Sequence, residues 1–144
     1  MNENVEISNA EWEVMRILWT LKVATSRQII DLLAEKLDWK EATTKTYINR
    51  LVNKQYVTAT RQGRAYLYRP AVAEETTIKA QLMNSFAKIC QKHVGKTLAN
   101  VIEDIPLSQT DIAELIQVLE RKQKTAPSEL PCDCLPEGYG KHAC

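Results

Sequence analysis

Residues that interrupt regular structure are scarce in this sequence. Its 144 residues include four glycines and five prolines, too few for the many tight turns of a β-rich fold. No apolar run approaches the roughly 20 residues that a membrane-spanning helix needs, and the N-terminus carries acids where a signal peptide would carry lysines. With 44% hydrophobic and 26% charged residues, we expect a soluble, mainly α-helical protein of the cytoplasm.

Residues typical of catalysis are also rare. There are two histidines, and no Ser/His/Asp arrangement, paired-carboxylate motif or phosphate-binding loop is present. A proline- and glycine-rich C-terminus offers no rigid pocket for a metal-bound nucleophile. The sequence therefore predicts that this is not an enzyme.

Acidic residues are missing from one stretch, Ala42 to Thr60. Residues 36–70 carry eight Lys or Arg against two acids, a net charge of +6, whereas residues 71–144 have a net charge of −2. A concentrated basic segment is typical of nucleic-acid binding. An ordinary solvent-exposed basic surface would explain the charge equally well. The arrangement of the side chains on the helices is therefore needed to distinguish the two interpretations.

The first half of the chain predicts three helices and a β-hairpin. Ser8 with Glu11, and later Thr25–Ser26, are N-cap signals, and a third helix runs from about Lys40 to Lys54. Two β-branched and aromatic runs follow, 56–60 and 65–68, with a glycine-containing turn between them and Pro70 as the stop. This element order predicts a winged helix-turn-helix DNA-binding domain in residues 1–71. On the second helix the residues expected to face the core are Ile29, Leu32, Leu33 and Leu37.

The third helix has a polar face suited to a DNA groove. With Ile48, Leu51 and Val52 buried, hydroxyl, phenol and cationic side chains point away from the core. Arginine can bind guanine edges, threonine can contact a base or the methyl group of thymine, and lysine can bind phosphate. The predicted DNA-binding residues, with two arginines of the hairpin, are Thr43, Thr46, Tyr47, Arg50, Lys54, Arg61 and Arg64.

The second half of the chain is predicted to be helical. One helix runs from about Glu74 to His93 and continues briefly to Pro106; Ser108 caps a last helix. Such small helices cannot cover their own apolar stripes, and a symmetric dimer would cover them. We therefore predict a helical dimerisation region in residues 72–124, with an interface formed by Ile78, Leu82, Phe86, Ile112, Leu115, Ile116 and Leu119.

Three of the four cysteines lie in the last thirteen residues, inside a proline- and glycine-rich segment, 125–144, that we predict to be a flexible metal-binding tail. Thiolates and an imidazole suit tetrahedral zinc, and thiolates bind soft Cu(I). The predicted ligands are Cys132, Cys134, Cys144 and His142. A thiol tail without metal, and an uninvolved His142, are the alternatives. Cys90 follows a helical stripe and is predicted to be a small core or interface residue.

The motifs of the first half resemble the CopY, BlaI and MecI family of winged-helix repressors. The resemblance begins with Ser8–Met15 and Leu18–Trp19 and continues to residue 124. Its further motifs are Trp39, Thr43, Thr46, Arg50–Val52, Gly63–Arg64, Tyr66 and Tyr68. It implies operator contacts by Thr43, Thr46 and Arg50, a wing carrying Arg64, and a dimer on an inverted-repeat operator.

The tail resembles that of the CopY-like branch, which represses copper-export operons. That branch ends in two C-x-C pairs; here Cys132-Asp133-Cys134 is present, but nine residues separate it from Cys144, and His142 replaces a cysteine. The resemblance implies Zn(II) in the DNA-binding form, Cu(I) as inducer, and double-stranded operator DNA, a second copy of the chain and a copper-delivering chaperone as partners. Alternatives are a BlaI/MecI-like repressor of resistance genes inactivated by proteolysis, and a metal carrier or structural zinc protein.

Overall fold

The computed structural model describes residues 6–139. Within them the elements are α1 (Asn9–Leu21), β1 (Ala24–Thr25), α2 (Ser26–Leu37), α3 (Glu41–Asn53), β2 (Val57–Gln62), β3 (Ala65–Pro70), α4 (Glu74–Phe86), α5 (Gln91–Asp104) and α6 (Gln109–Gln123). The chain divides between Gln81 and Leu82 into two compact units. The predicted fold class, mainly helical with a small β element in a winged helix-turn-helix order, is confirmed.

Local capping signals set where helices begin. The Ser8 backbone N–H donates to Glu11 Oε1 at 2.9 Å, and the Glu11 N–H donates to Ser8 Oγ at 3.1 Å. Thr25 caps α2 with Gln28, and Ser108 caps α6, in the same reciprocal way. Each box satisfies amides that a helix otherwise leaves without a partner, so all three predicted helix starts are confirmed.

The sheet is antiparallel, in the order β1-β3-β2. Gln62 pairs with Ala65 across a two-residue loop in which Gly63 has a φ of 63°. A positive φ at the first loop position is typical of type II′ hairpin turns and favours glycine. The hairpin is confirmed. The sequence missed β1, because a strand of two residues has no detectable alternation.

The core of the first unit is built from α1, α2, α3 and the start of β2. Its fully buried members include Val14, Met15, Leu18, Ile29, Leu33, Ile48, Leu51 and Val57. On α2 the prediction is half wrong: Ile30 is buried, whereas Leu32 and Leu37 are about two-fifths exposed. Because α2 contacts both α1 and α3, its buried side turns toward Ile30.

The single helix predicted for residues 74–93 is wrong. Helix α4 ends at Phe86, and α5 starts after Cys90. Between them the amides of Lys88 and Ile89 donate to carbonyls three residues earlier, those of Ser85 and Phe86, instead of four residues earlier as in an α-helix. The intervening residues include neither proline nor glycine, so the break has no local sequence signal. None of the described residues of α4, α5 or α6 is buried.

Residues 125–139 contain no helix or strand, as predicted for the tail. Over the described part of the chain, every helix is too short or too polar to cross a membrane.

Candidate nucleic-acid interface and cysteine cluster

Helix α3 buries one side and exposes an acid-free polar side. The buried residues are Thr44, Ile48 and Leu51. Arg50 and Thr46 are exposed as predicted, but so are Asn49 and Asn53, which the sequence analysis missed. The sequence predicted Ile48, Leu51 and Val52 as the buried side; Ile48 and Leu51 are buried, whereas Val52 is half-buried and Thr44 is buried as well. Asparagine amides can bind adenine bidentately, so they extend the surface able to contact bases.

Arg50 is held by an aromatic stack. Its guanidinium lies 5.3 Å from the ring centroid of Tyr47, and that ring lies 5.3 Å from Trp39. Tyr47, expected to point away from the core, is instead half-buried against it. A cation over an aromatic face gains about 0.5–1 kcal/mol at an exposed site. The contact with Tyr47 therefore orients Arg50, and guanidinium N–H groups are well suited to donate hydrogen bonds to a ligand.

Cations surround the single acid at the start of α3. Glu41 lies 2.8 Å from Lys45 Nζ and 3.2 Å from Arg27. Hydrogen bonds from Lys45 and then Arg27 lower the pKa of the Glu41 carboxyl. Nearby, Thr43 is half-buried, and the Thr46 hydroxyl donates to Ala42 O at 2.9 Å. The carboxylate is thus neutralised locally, which keeps this end of the helix compatible with phosphate.

The hairpin places two arginines in solvent. Arg61 on β2 and Arg64 in the turn are both exposed, and Arg61 Nε donates to Gly63 O at 3.2 Å. Tyr66 and Tyr68 lie side by side on β3, with ring centroids 6.5 Å apart. The hairpin therefore has the form of a wing with a cationic tip.

Lys54 is the predicted DNA-contacting residue whose ammonium is engaged within the protein. Its Nζ donates to Glu11 Oε1 at 2.7 Å and to Glu6 O at 2.9 Å. Glu11 is 1% exposed. Burial alone would raise the pKa of Glu11, but the hydrogen bond and charge of Lys54, with the bonds to Ser8, more than offset it, so the pKa lies below its ordinary value. The pairing gives Lys54 a structural role that the sequence did not predict.

The predicted dimer-interface residues lie on exposed faces within this single chain. The exposed fractions of Ile78, Leu82, Ile112, Leu115, Ile116 and Leu119 range from 37% to 58%, and Phe86 is half-buried. Every described residue of α6 is exposed. An isolated helix of this length is marginal in water, so its apolar face needs a cover.

The predicted metal ligands are only partly within the described residues; His142 and Cys144 lie outside them. Cys132 and Cys134 meet a third sulfur that was predicted to serve only packing. The Sγ atoms of Cys90, Cys132 and Cys134 all lie within 4.8 Å of one another. A hydrogen bond with Cys90, then burial, raises the pKa of the Cys134 thiol, as expected where thiols cluster without a cation. Cys132 takes part in a disulfide bond.

This donor set fits a thiophilic metal. Three soft sulfur atoms in one cluster suit Cu(I), and with a fourth donor they suit tetrahedral Zn(II). Magnesium or calcium would need oxygen ligands instead. The residues that would hold the ion are Cys90, Cys132 and Cys134.

Comparison with known proteins places this architecture in a family. Residues 7–121 match the family described as penicillinase repressor. The chain is 44% identical over 137 residues to an uncharacterized 16.5 kDa protein in the ptsI 3' region of Latilactobacillus sakei, covering 94% of each chain. It is 34% identical to the methicillin resistance regulatory protein MecI of Staphylococcus aureus strain N315, covering 84% of this chain and 98% of MecI.

Among solved structures, the CopR repressor aligns with 47% of this chain and 99% of its own, at 38% identity and a TM-score of 0.41. The family match extends over most of the chain, from the first helix into the last, and MecI is covered almost completely. The chain therefore belongs to the penicillinase repressor family of transcriptional repressors.

Proposed function

We propose that the chain is a dimeric repressor that binds an inverted-repeat operator of a copper-export operon and is released when Cu(I) replaces Zn(II). The observation that carries DNA binding is the exposed, acid-free side of α3 with Arg50 held on Tyr47. An α-helix fits the major groove of B-DNA. Arg50, Thr46 and Thr43 would contact bases or the adjacent backbone, while Arg61 and Arg64 of the wing would contact neighbouring phosphates.

The dimer is supported by the exposed apolar faces of α4 and α6. Two copies related by a two-fold axis would bury the same residues on each other and present two α3 helices to two half-sites. Linking the half-sites raises affinity through effective concentration.

Copper as the signal is supported by the tail. The family match ends at residue 121, and the cysteine pair follows it at residues 132 and 134. The alignment of 122 residues already covers 98% of MecI. The nearest rival function is that of a MecI-like or penicillinase repressor answering to proteolysis. This rival function is supported by the sequence match to those proteins, because the match lies upstream of the cysteine pair.

Replacing Arg50 with alanine is expected to abolish specific operator binding while fold and dimer persist. Loss of a bidentate base contact costs about 1–3 kcal/mol per half-site. The measurement is a gel-shift titration against a duplex that the wild-type protein selects from a random pool, with circular dichroism as a check of folding. Arg16→Ala, an exposed arginine on α1, is the matched control. Unchanged affinity of the Arg50 variant would remove this residue from the interface.

Replacing both Cys132 and Cys134 with serine is expected to leave operator binding measurable but remove release by Cu(I). The proposed groove-reading elements end near residue 70, so these substitutions do not touch them. Serine hydroxyls are poor ligands for a soft monovalent ion. Copper can shift the equilibrium only if it binds the released form more tightly than the DNA-bound form.

The measurement is fluorescence anisotropy of labelled operator DNA during addition of Cu(I) to reduced, zinc-loaded protein. Two results would contradict the copper proposal: release of the double variant by copper, or retention of the operator by wild-type protein at saturating Cu(I). The second result, followed by loss of binding on limited proteolysis, would favour the MecI-like alternative.

A further inference from the structure

We infer that Cys90 is a metal ligand, and that it forms with Cys132 and Cys134 a three-thiolate site at the start of α5. This inference deepens the proposed copper response, on which it rests, because it adds a ligand from the helical region to the cysteine pair of the tail. The observation is the meeting of three sulfur atoms within 4.8 Å of one another, one buried, one half-buried and one exposed.

The backbone of Cys90 makes it available for this role. Cys90 is the N-cap of α5, with an extended backbone, φ −61° and ψ 133°, and its side chain makes no capping hydrogen bond. It is also 8% exposed. A small apolar residue would serve packing equally well, and serine would serve the cap better. The position therefore has a buried sulfur atom that the helix cap does not use.

The Cys-Asp-Cys motif is fixed against this helix start by hydrogen bonds. The backbone N–H of Gln91 donates to Asp133 Oδ1 at 3.1 Å, and the Gln91 side-chain amide donates to Pro131 O at 2.8 Å. Asp133 thus supplies the cap that Cys90 does not, and its negative charge is favoured at a helix N-terminus. Since Asp133 lies between the two cysteines, capping brings both of them to Cys90. Two hydrogen bonds therefore hold the segment 131–134 at the start of α5.

The sulfur spacing is close to that of a metal site. Sulfur atoms around one ion at about 2.3 Å lie about 3.8 Å from one another, so the cluster needs to contract by at most about 1 Å. The backbone N–H of Cys134 donates to Cys132 Sγ at 3.5 Å, and such hydrogen bonds to the ligand atoms orient them in metal sites. Three thiolates without a fourth ligand suit Cu(I).

Loading the site requires reduced cysteines. The disulfide of Cys132 must first gain two electrons from a thiol or phosphine reductant and two protons, which gives two thiols. Binding of the ion then releases to water the proton of each thiol that becomes a ligand.

The test compares Cys90→Ser with the wild-type full-length protein, both reduced with a phosphine under anaerobic conditions. Serine is a good N-cap, so α5 should begin as before while the soft ligand is lost. One equivalent of Cu(I) is titrated in competition with a chromophoric chelator, and X-ray absorption counts the sulfur neighbours of copper. We expect three sulfurs in the wild type and two in the variant, with affinity lower by at least about tenfold.

Ile89→Ala is the comparison variant. It trims the residue beside Cys90 without removing a sulfur atom, so it should keep three sulfur neighbours. Three sulfurs and unchanged affinity in Cys90→Ser would overturn the inference. Because metal binding is measured without DNA, failure of the copper-release experiment with these results intact would contradict the proposed function and leave the site standing.

Discussion

Replacement of Lys54 with methionine is expected to destabilise the N-terminal unit by about 3 kcal/mol. Lys54 provides the charge that balances the buried Glu11 carboxylate, at 2.7 Å. Removing one partner of a buried pair leaves an uncompensated charge and typically costs about 3–5 kcal/mol. We expect the lower end of this range, because the Lys54 side chain is 28% exposed. Because methionine keeps the apolar part of the lysine side chain, the loss of stability reports the removal of the positive charge.

The pH dependence of stability should change sign in this variant. In the wild type the pKa of Glu11 is lowered below its ordinary 4.5, so its stabilisation is complete above about pH 4.5 and is lost as the pH falls through the lower, folded value. Without Lys54 the burial of Glu11 dominates and raises its pKa. Protonation then relieves the buried charge, and the variant should gain stability as the pH falls from 7 toward 5.

Urea unfolding followed by tryptophan fluorescence measures this effect selectively, since all three tryptophans, Trp12, Trp19 and Trp39, lie in the N-terminal unit. Lys45→Met is the matched control. Its ion pair with Glu41 is about half exposed on both sides, and such surface pairs contribute at most about 1 kcal/mol. If the two variants lose the same free energy of unfolding and show the same pH trend, the buried pair stabilises the protein no more than a surface pair does.

Substitution of both Leu115 and Leu119 with aspartate is expected to convert the dimer to a monomer. These side chains lie on the exposed apolar face of α6, which we propose is covered by the second copy. Two carboxylates in an apolar helix seam carry a desolvation cost of several kcal/mol each. Sedimentation equilibrium should show a single chain, and operator affinity should fall by about a hundredfold or more, because linked half-sites no longer share one binding event.

The control is Thr110→Asp with Gln117→Asp. These substitutions add the same two charges to the polar side of the same helix, where we expect the dimer to persist. A dimer in the Leu115/Leu119 variant would show that α6 is not the interface. A monomer in both variants would show instead that added charge, rather than the apolar face, decides assembly.

The sequence by itself predicted the features that depend on near neighbours. The capping boxes, such as Ser8 with Glu11, join residues three apart, and the turn at Gly63 depends on one residue's freedom to adopt a positive φ. Helical periodicity placed Ile48 and Leu51 correctly, because their burial follows from spacing alone. These signals sufficed for the winged helix-turn-helix order and for the exposed Arg50.

The tertiary structure decided what depends on residues far apart in the chain. Lys54 meets Glu11 across 43 residues, and Gln91 meets Asp133 across 42. Neither hydrophobic periodicity nor capping signals predict these long-range contacts, because they depend on how whole helices and loops pack together. For the same reason the sequence did not predict that Lys54 pairs with the buried carboxylate of Glu11. It predicted Cys90 as a small core or interface residue, which agrees with its burial, but it did not predict that Cys90 lies beside the two cysteines of the tail.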